Sequence, residues 1–296
     1  AEKQNRPISF FINRLDEPNA SFDKTLADLQ EAYGSKIVPL VLPIVEGEEA
    51  KGLIDVLAKQ AYTFADKGKM NKTEIPDALS DTVDQFYDQL QEQIAESDED
   101  LMMKYFEGEA FTPQEQNSGL SHAILTGSIW PVFAGVAQSN LGVSFTLDAI
   151  ANYMPTPLDT TPVKALVNGA EEELAVDPDG KLAAYIFKTI VDPFVGRISM
   201  FKVYRGTFPS SGTVFNANKE TDERVNGLSY LRGKKQIAAE AGIVAGDIGA
   251  VTKLNESETN DTLCENSCKV KIIPPIIPEP SLTMAISPVT EGEEDK

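Results

Sequence analysis

Three polar side chains follow directly on a short apolar run near the start of the chain. The run, Pro7 to Ile12, is rich in Phe and Ile and predicts a buried strand of parallel type; Asn13, Arg14 and Asp16 come next. In an open α/β sheet, ligands bind beyond the carboxyl ends of the strands. A carboxylate held there can accept two hydrogen bonds from the N1–H and N2 amino group of guanine, a pair that adenine does not offer.

The other two polar side chains suit the same base. The amide of Asn13 can bridge the base and neighbouring loops, and the flat guanidinium of Arg14 can stack over the ring. An Asn-x-x-Asp spacing also arises by chance, and its simplest alternative is a turn after a strand. The pattern therefore indicates a guanine site without establishing it.

A second strand end of the same kind occurs further along the chain. Pro131 to Ala134 reads as another short buried strand, and Gly135, Val136 and Ala137 follow it as a loop of small side chains. Such a loop lets backbone N–H groups approach a base carbonyl closely. We expect this loop to contact the O6 atom of guanine, so the two strand ends together predict a guanine pocket.

No phosphate-binding motif of the G-x-x-x-x-G-K-[ST] type occurs in the 296 residues. The three Gly-Lys pairs, at positions 68, 180 and 233, each lack the residues around them that the motif requires. Without that loop there is no nest of N–H groups for phosphates and no hydroxyl for magnesium. We therefore expect half a nucleotide pocket, no catalytic residues, and a chain cut from a longer protein that is inactive by itself.

Composition indicates a globular protein with two halves of different charge. Residues 1–180 carry 12 Lys+Arg against 31 Asp+Glu, whereas residues 181–278 carry 13 against 10. The acidity either keeps the surface soluble or meets a basic protein, while the mildly basic half would face nucleic acid. No signal peptide or membrane span is expected, which favours the cytoplasm. Cys264 and Cys268 are expected to be reduced thiols rather than a disulfide or metal site.

Periodicity and capping residues predict the elements of the first half. A helix from Phe22 to Tyr33 begins after the cap Ser21, and a helix from Thr112 to Thr126 begins with a capping box. Ile37 to Val45 is expected to be one edge strand because it contains two prolines. The remaining expected elements are strands at 52–57 and 61–64, an acidic helix over 76–105, whose charged face is also explained by simple solvation, and a helix at 143–153.

The second half has the texture of an all-β domain. Residues 155–180 hold prolines and turn signals and are expected to be a linker. Short apolar runs separated by glycines follow, which predicts a closed β-barrel. After a second linker at 274–280, residues 281–288 alternate like a strand that has no visible partner.

These residues together resemble a known family, the elongation factor G group of translational GTPases. Residues 1–28 resemble its N-K-x-D region, 129–158 resemble its second base-reading loop and last GTPase-domain helix, and 184–206 resemble the opening of its second domain. Shorter matches at 245–248, 260–264 and 278–286 follow in the same order. The match is collinear over nearly the whole chain, which makes it more specific than any single motif.

The resemblance implies a fold and partners. Residues 1–158 would be the C-terminal part of an α/β P-loop GTPase domain, with an α+β insertion at about 35–127. Residues 159–180 would be a linker, 181–278 an all-β translation-factor barrel, and 279–296 the start of a third domain. The full protein would be a monomeric GTPase that uses GTP or GDP with Mg²⁺ on the ribosome. The insertion would meet the ribosomal stalk protein, and the barrel would meet ribosomal RNA.

Two positions depart from the family pattern: Arg14 replaces its Lys, and Val136 replaces its Ser. They leave three readings open. The first is a factor that moves tRNA and mRNA through the ribosome or takes the ribosome apart. The second is a paralogue specialised in splitting, or in ribosome protection of the tetracycline-resistance kind. The third is a non-catalytic ribosome-binding module that reuses the barrel.

Overall fold

The computed structural model describes residues 6–47, 49–65, 69–192, 194–233, 235–276, 278–285 and 287. The chain divides into two compact units, Ala1–Asp159 and Thr160–Lys296. Among the described residues, none of the helices combines the length and the apolar character that crossing a membrane requires.

The first unit is a mixed α/β structure built on two sheets. Its elements are β1 (Phe10–Ile12), α1 (Phe22–Tyr33), β2 (Ile37–Pro39), β3 (Val41–Glu46), β4 (Glu49–Asp55), β5 (Gln60–Ala65), β6 (Lys69–Thr73), α2 (Asp77–Ala95), α3 (Glu99–Glu107), α4 (Pro113–Thr126), β7 (Trp130–Ala134) and α5 (Val143–Tyr153). One sheet is parallel, in the order β1-β7-β2, and the other is an antiparallel meander, β3-β4-β5-β6. A shared apolar core packs the helices against both.

Helix ends lie where the capping residues predict them. The Ser21 side chain accepts a hydrogen bond from the N–H of Lys24, and α1 stops at Gly34, whose φ of 78° lies in the left-handed region. Thr112 and Glu115 form the expected capping box at the start of α4. These local interactions confirm the predicted bounds of α1 and α4.

The apolar run from Ile37 to Val45 forms two strands, so the prediction of a single strand is wrong. Both β2 and β3 nevertheless lie at the edge of their sheets, as the two prolines predict. Leu40 separates them: its N–H donates to Val132 O at 2.9 Å, and its carbonyl accepts from Val56 N–H at 3.0 Å. The two bonds belong to different sheets, and Leu40 is buried between them. The chain therefore passes from one sheet to the other within a single residue, which an unbroken apolar run does not reveal.

The acidic helix expected over 76–105 is likewise divided, into α2 and α3. The Asp98 carboxylate accepts hydrogen bonds from the N–H groups of Asp100 and Leu101, and so it caps a new helix. Val83, Leu90 and Ile94 are buried along α2, as the apolar spacing predicts. The sequence did not distinguish Asp98 as a helix cap, because it is one of several carboxylates in this stretch.

The second unit is all-β. Its strands are β8 (Val163–Val167), β9 (Ala170–Leu174), β10 (Ala183–Asp192), β11 (Gly196–Arg205), β12 (Thr207–Phe208), β13 (Gly212–Asn216), β14 (Thr221–Arg232), β15 (Lys235–Ala238), β16 (Ile243–Val244), β17 (Ile248–Thr252), β18 (Thr262–Cys264) and β19 (Val270–Ile272). Six of them form a ring, β13-β18-β10-β11-β17-β14, which the β13–β14 pairing closes. Alternating residues such as Ile186, Phe201 and Val251 fill its interior. The predicted closed barrel is confirmed.

Two expectations about the flanks of the barrel are wrong. The stretch expected to be a linker contains the β8–β9 hairpin, and β8 also pairs with β19, which returns from beyond the barrel. Polar residues dominate β9 because only Leu174 is buried there, so the composition suggested a loop. Residues 281–285, expected to begin a strand, lie in no strand; positions 286 and 288 fall outside the described residues.

A buried carboxylate holds one wall of the barrel. Glu223 on β14 is 1% exposed and accepts hydrogen bonds from the N–H groups of Asn255, Glu256 and Ser257 and from the Ser257 hydroxyl, at 2.7–2.9 Å. Burial acts to raise the pKa of Glu223, but these four hydrogen bonds outweigh it and leave the pKa below its ordinary value. The ionised side chain therefore fixes the loop after β17.

We expect Glu223→Gln to destabilise the second unit by about 3 kcal/mol, because an amide cannot accept all four buried bonds. Amide hydrogen exchange at residues 255–257 should accelerate sharply. The exposed neighbour provides the control, Asp222→Asn, which should leave exchange unchanged. Because a lowered carboxyl pKa stabilises the fold above the unfolded value of 4.5, wild-type protection should fall as pH drops below 4.5. Equal protection in both variants would contradict this role.

Candidate guanine-binding site

The two loops predicted from the sequence lie side by side. Residues 13–16 leave the carboxyl end of β1 and residues 135–137 leave the carboxyl end of β7. These strands are parallel neighbours, with Ile12 opposite Ala134. The structure therefore brings the two candidate loops to the same edge of the sheet.

Three hydrogen bonds join the loops. Asn13 Oδ1 accepts from the Ala137 N–H at 2.9 Å, Gly135 N–H donates to Ile12 O at 3.1 Å, and Leu15 N–H donates to Gly135 O at 3.5 Å. The first uses a side chain, whereas the others continue the pattern of the sheet. Asn13 is thus the side chain that bridges the loops.

Gly135 has no room for a side chain. A Cβ at this position would lie 2.2 Å from the carbonyl oxygen of Leu141 and 2.9 Å from Phe11 Cζ. Val136 follows it, is buried, and exchanges two backbone hydrogen bonds with Leu141 at 2.9 and 3.1 Å. The loop is therefore braced by backbone hydrogen bonds at Val136.

The N–H groups of the second loop are all in use. Gly135 donates to Ile12, Val136 donates to Leu141, and Ala137 donates to Asn13. The contact of this loop with the O6 atom of guanine stays a prediction. Small side chains allow close approach, but they do not determine whether a neighbouring side chain already occupies the donor. Of the three donors, only the Ala137 N–H has a side-chain acceptor.

Arg14 and Asp16 point to the surface from a tight turn. Arg14 has φ of 61°, in the left-handed region that non-glycine residues seldom adopt, and its carbonyl accepts from Glu17 N–H at 3.1 Å. Both side chains are exposed. The Asp16 carboxylate accepts no hydrogen bond from residues in the described part of the chain, so its oxygens face solvent.

A cleft of about 460 Å³ lies between this turn and the start of α1. Asn13 and Arg14 line it, whereas Asp16 and residues 135–137 do not. The opposite wall is polar and contains Ser21, Lys24 and Asp28. These occur at positions i, i+3 and i+7, the polar counterpart of the apolar stripe on α1. Lys24 places a positive charge beside the site. Its spacing from Ser21 and Asp28 could have indicated this from the sequence, but the sequence analysis did not single it out.

The cysteines lie in the second unit and are buried. Arg205 Nη2 lies 3.5 Å from Cys268 Sγ, and burial raises the pKa of the Cys264 thiol. Across the described ranges, no three His, Cys, Asp or Glu residues are grouped so as to hold a metal ion.

Comparison with known proteins identifies the barrel. Residues 181–266 match the family model described as elongation factor G domain 2. A crystal structure of a protein from Thermus thermophilus is similar over 90% of this chain, with a TM-score of 0.75 and 28% sequence identity. This chain is therefore similar to elongation factor G within its barrel. It covers 37% of the Thermus chain, and so spans little more than a third of the length of that protein.

We expect Gly135→Ala to destabilise the first unit by about 1–3 kcal/mol, since the new methyl group meets the backbone of Leu141. Trp130, the only tryptophan, is buried at the start of β7 and reports unfolding of this unit by fluorescence. The exposed loop neighbour supplies the control, Gln138→Ala, for which we expect a change within about 0.5 kcal/mol. Matching urea midpoints for the two variants would show that Gly135 is not needed for close packing.

Proposed function

We propose that this protein is a guanine-nucleotide-dependent translation factor that acts on the ribosome in the cytoplasm. The match of residues 181–266 to elongation factor G domain 2 carries the proposal. The neighbouring loops at the ends of β1 and β7 support it independently, because they hold the residue types that guanine recognition needs. GTP and GDP, with Mg²⁺ on the phosphates, are the proposed ligands.

Each loop residue has a defined part in this proposal. Asp16 accepts from the N1–H and N2 amino group of guanine with its solvent-facing carboxylate. Arg14 stacks its guanidinium on the base. Rotation of the Asn13 amide away from Ala137 releases the Ala137 N–H for the O6 atom, which needs no backbone movement. Gly135 and Val136 act through the backbone that positions this donor.

The charge of each unit supports the proposed ribosomal partners. Five carboxylates are exposed along one face of α2 and at its C-cap, those of Asp81, Asp84, Asp88, Glu92 and Glu96. Within the described residues only Asp84 of these five is in an ion pair, with Lys59 at 2.6 Å. This face suits a basic protein surface, and we propose the ribosomal stalk as its partner. The mildly basic barrel is proposed to meet ribosomal RNA, with the protein acting as a monomer.

The direct experiment is GTP turnover by the gene-encoded protein, with and without ribosomes, beside the isolated 296-residue chain. Strong stimulation by ribosomes in the gene-encoded protein supports a translation GTPase. Translocation and ribosome-splitting assays then separate movement of tRNA and mRNA from disassembly. Ribosome binding without any turnover would instead favour a non-catalytic binding module, and would refute the GTPase.

We expect Asp16→Asn in the gene-encoded protein to shift preference from GTP towards xanthosine triphosphate. The amide donates where the carboxylate accepts, and xanthine presents an acceptor where guanine presents its N2 amino group. Equilibrium binding of both nucleotides measures the shift, for which we expect about tenfold or more in the ratio of affinities. Glu17→Gln, at an exposed acidic neighbour, is the matched control. Unchanged affinities would remove Asp16 from the base site.

A further inference from the structure

A second cleft lies in the first unit, between the meander and α5 and apart from both loops of the candidate guanine site. Its volume is about 290 Å³. Its lining includes the polar residues Asp55, Tyr62, Asp148, Asn152 and Tyr153, and the rings of Phe133 and Phe145. None of these residues belongs to the proposed guanine site.

Helix α5 forms one wall through a regular stripe. Phe145, Asp148, Asn152 and Tyr153 occur at i, i+3, i+7 and i+8, so they share one face of the helix. Phe145 packs edge-on against Tyr62 of β5, with ring centroids 5.2 Å apart. Asp148 and Asn152 are exposed and Tyr153 is half-buried. The cleft therefore has an open polar rim and an aromatic interior.

Asp55 is the more enclosed of the two carboxylates. Its Oδ1 accepts from Ala58 N–H at 3.0 Å, which orients the carboxylate at the end of β4. Burial raises the pKa of Asp55, against the effect of hydrogen bonds from Ala58 and Leu57. Among the described residues, no Lys, Arg or His lines the cleft, and Asp55 has no ion pair. The cleft thus holds negative charge that its own lining does not neutralise.

The pKa values of Tyr62 and Tyr153 indicate that the Asp55 carboxylate lies near both hydroxyl groups. Burial, and next the negative charge of Asp55, raise the pKa of both Tyr62 and Tyr153, and Asp148 adds to the effect at Tyr153. One carboxylate therefore acts on hydroxyl groups from a strand and from a helix. Both tyrosines stay protonated at neutral pH and present their rings and hydroxyls uncharged.

We infer that this cleft binds a small organic cation, an alkylammonium group, between the two carboxylates and the aromatic rings. Carboxylates supply the counter-charge and charge-assisted hydrogen bonds, while the Tyr and Phe rings attract the cation through their faces. The small volume suits the end of a linear amine rather than a bulky ligand. A free polyamine and a lysine side chain of a partner share this chemistry.

Binding is tested on the chain with two probes, putrescine and N-acetyl-lysine methylamide. Calorimetry gives the affinity, and the ¹³C-methyl NMR signal of Met70, which lines the cleft, reports the location. Tight binding of putrescine alone identifies a free polyamine as the source, whereas binding of the lysine probe identifies a basic side chain. Absence of a Met70 shift with both probes overturns the inference.

Matched variants separate this site from the general attraction of cations to a chain of net charge −20. Asp55→Asn keeps the acceptor for Ala58 and should weaken binding about tenfold or more. Asp148→Asn, at the exposed rim, should weaken it by roughly threefold and does not endanger folding. Asp100→Asn removes the same charge from an exposed position on α3 and should leave affinity unchanged. Equal effects from all three variants would show diffuse screening and overturn the site.

Discussion

The parallel pairing of β1 with β7 is the constraint on which the candidate guanine site depends. These strands lie more than a hundred residues apart in the chain, and their register places Ile12 beside Ala134. The residues that directly follow the two strands, 13–16 and 135–137, are therefore close in space. Asn13 reaches the Ala137 N–H, and Gly135 accepts from Leu15, only because the two strands end together. The pairing of the strands therefore positions the two loops, and the contacts of single side chains follow from that pairing.

The same sheet accommodates the long segment between β2 and β7. Both strands are neighbours in the sheet, so the segment leaves and returns at adjacent positions, with Ile37 opposite Trp130. Leu40, at the start of the segment, forms hydrogen bonds to both sheets. Helix α4 ends at Thr126 with Gly127 as its C-cap, and the chain then enters β7. Because the ends are held by strand pairing, the closure of this long segment costs little extra, and the segment can form its own meander and helices.

Much of this could be predicted from the sequence, because local signals and local structure coincide. Ser21, Gly34 and the Thr112–Glu115 pair determine helix ends through bonds within four residues, and alternation in the barrel strands reflects one buried face. What could not be predicted depends on distant partners. The division at Leu40 depends on Val132 and Val56, and the hairpin at 163–174 depends on β19. The predicted O6 loop shows the same limit, since the Ala137 donor is taken by a residue 124 positions away.

Helix α5 both packs into the apolar core and lines the second cleft. Ala149 is buried on α5 and anchors the helix to the core shared with β7, while Asp148 and Asn152, close to it in sequence, line the cleft beside the meander. The helix thus has one side committed to stability and an adjoining stripe that keeps carboxylate and amide groups accessible. A cation held between Asp55 and Asp148 would connect β4 to α5, the helix that follows residues 135–137 in the chain. Val136 and Ala149 belong to the same apolar core, so the loop after β7 and the helix that lines the cleft pack in one unit.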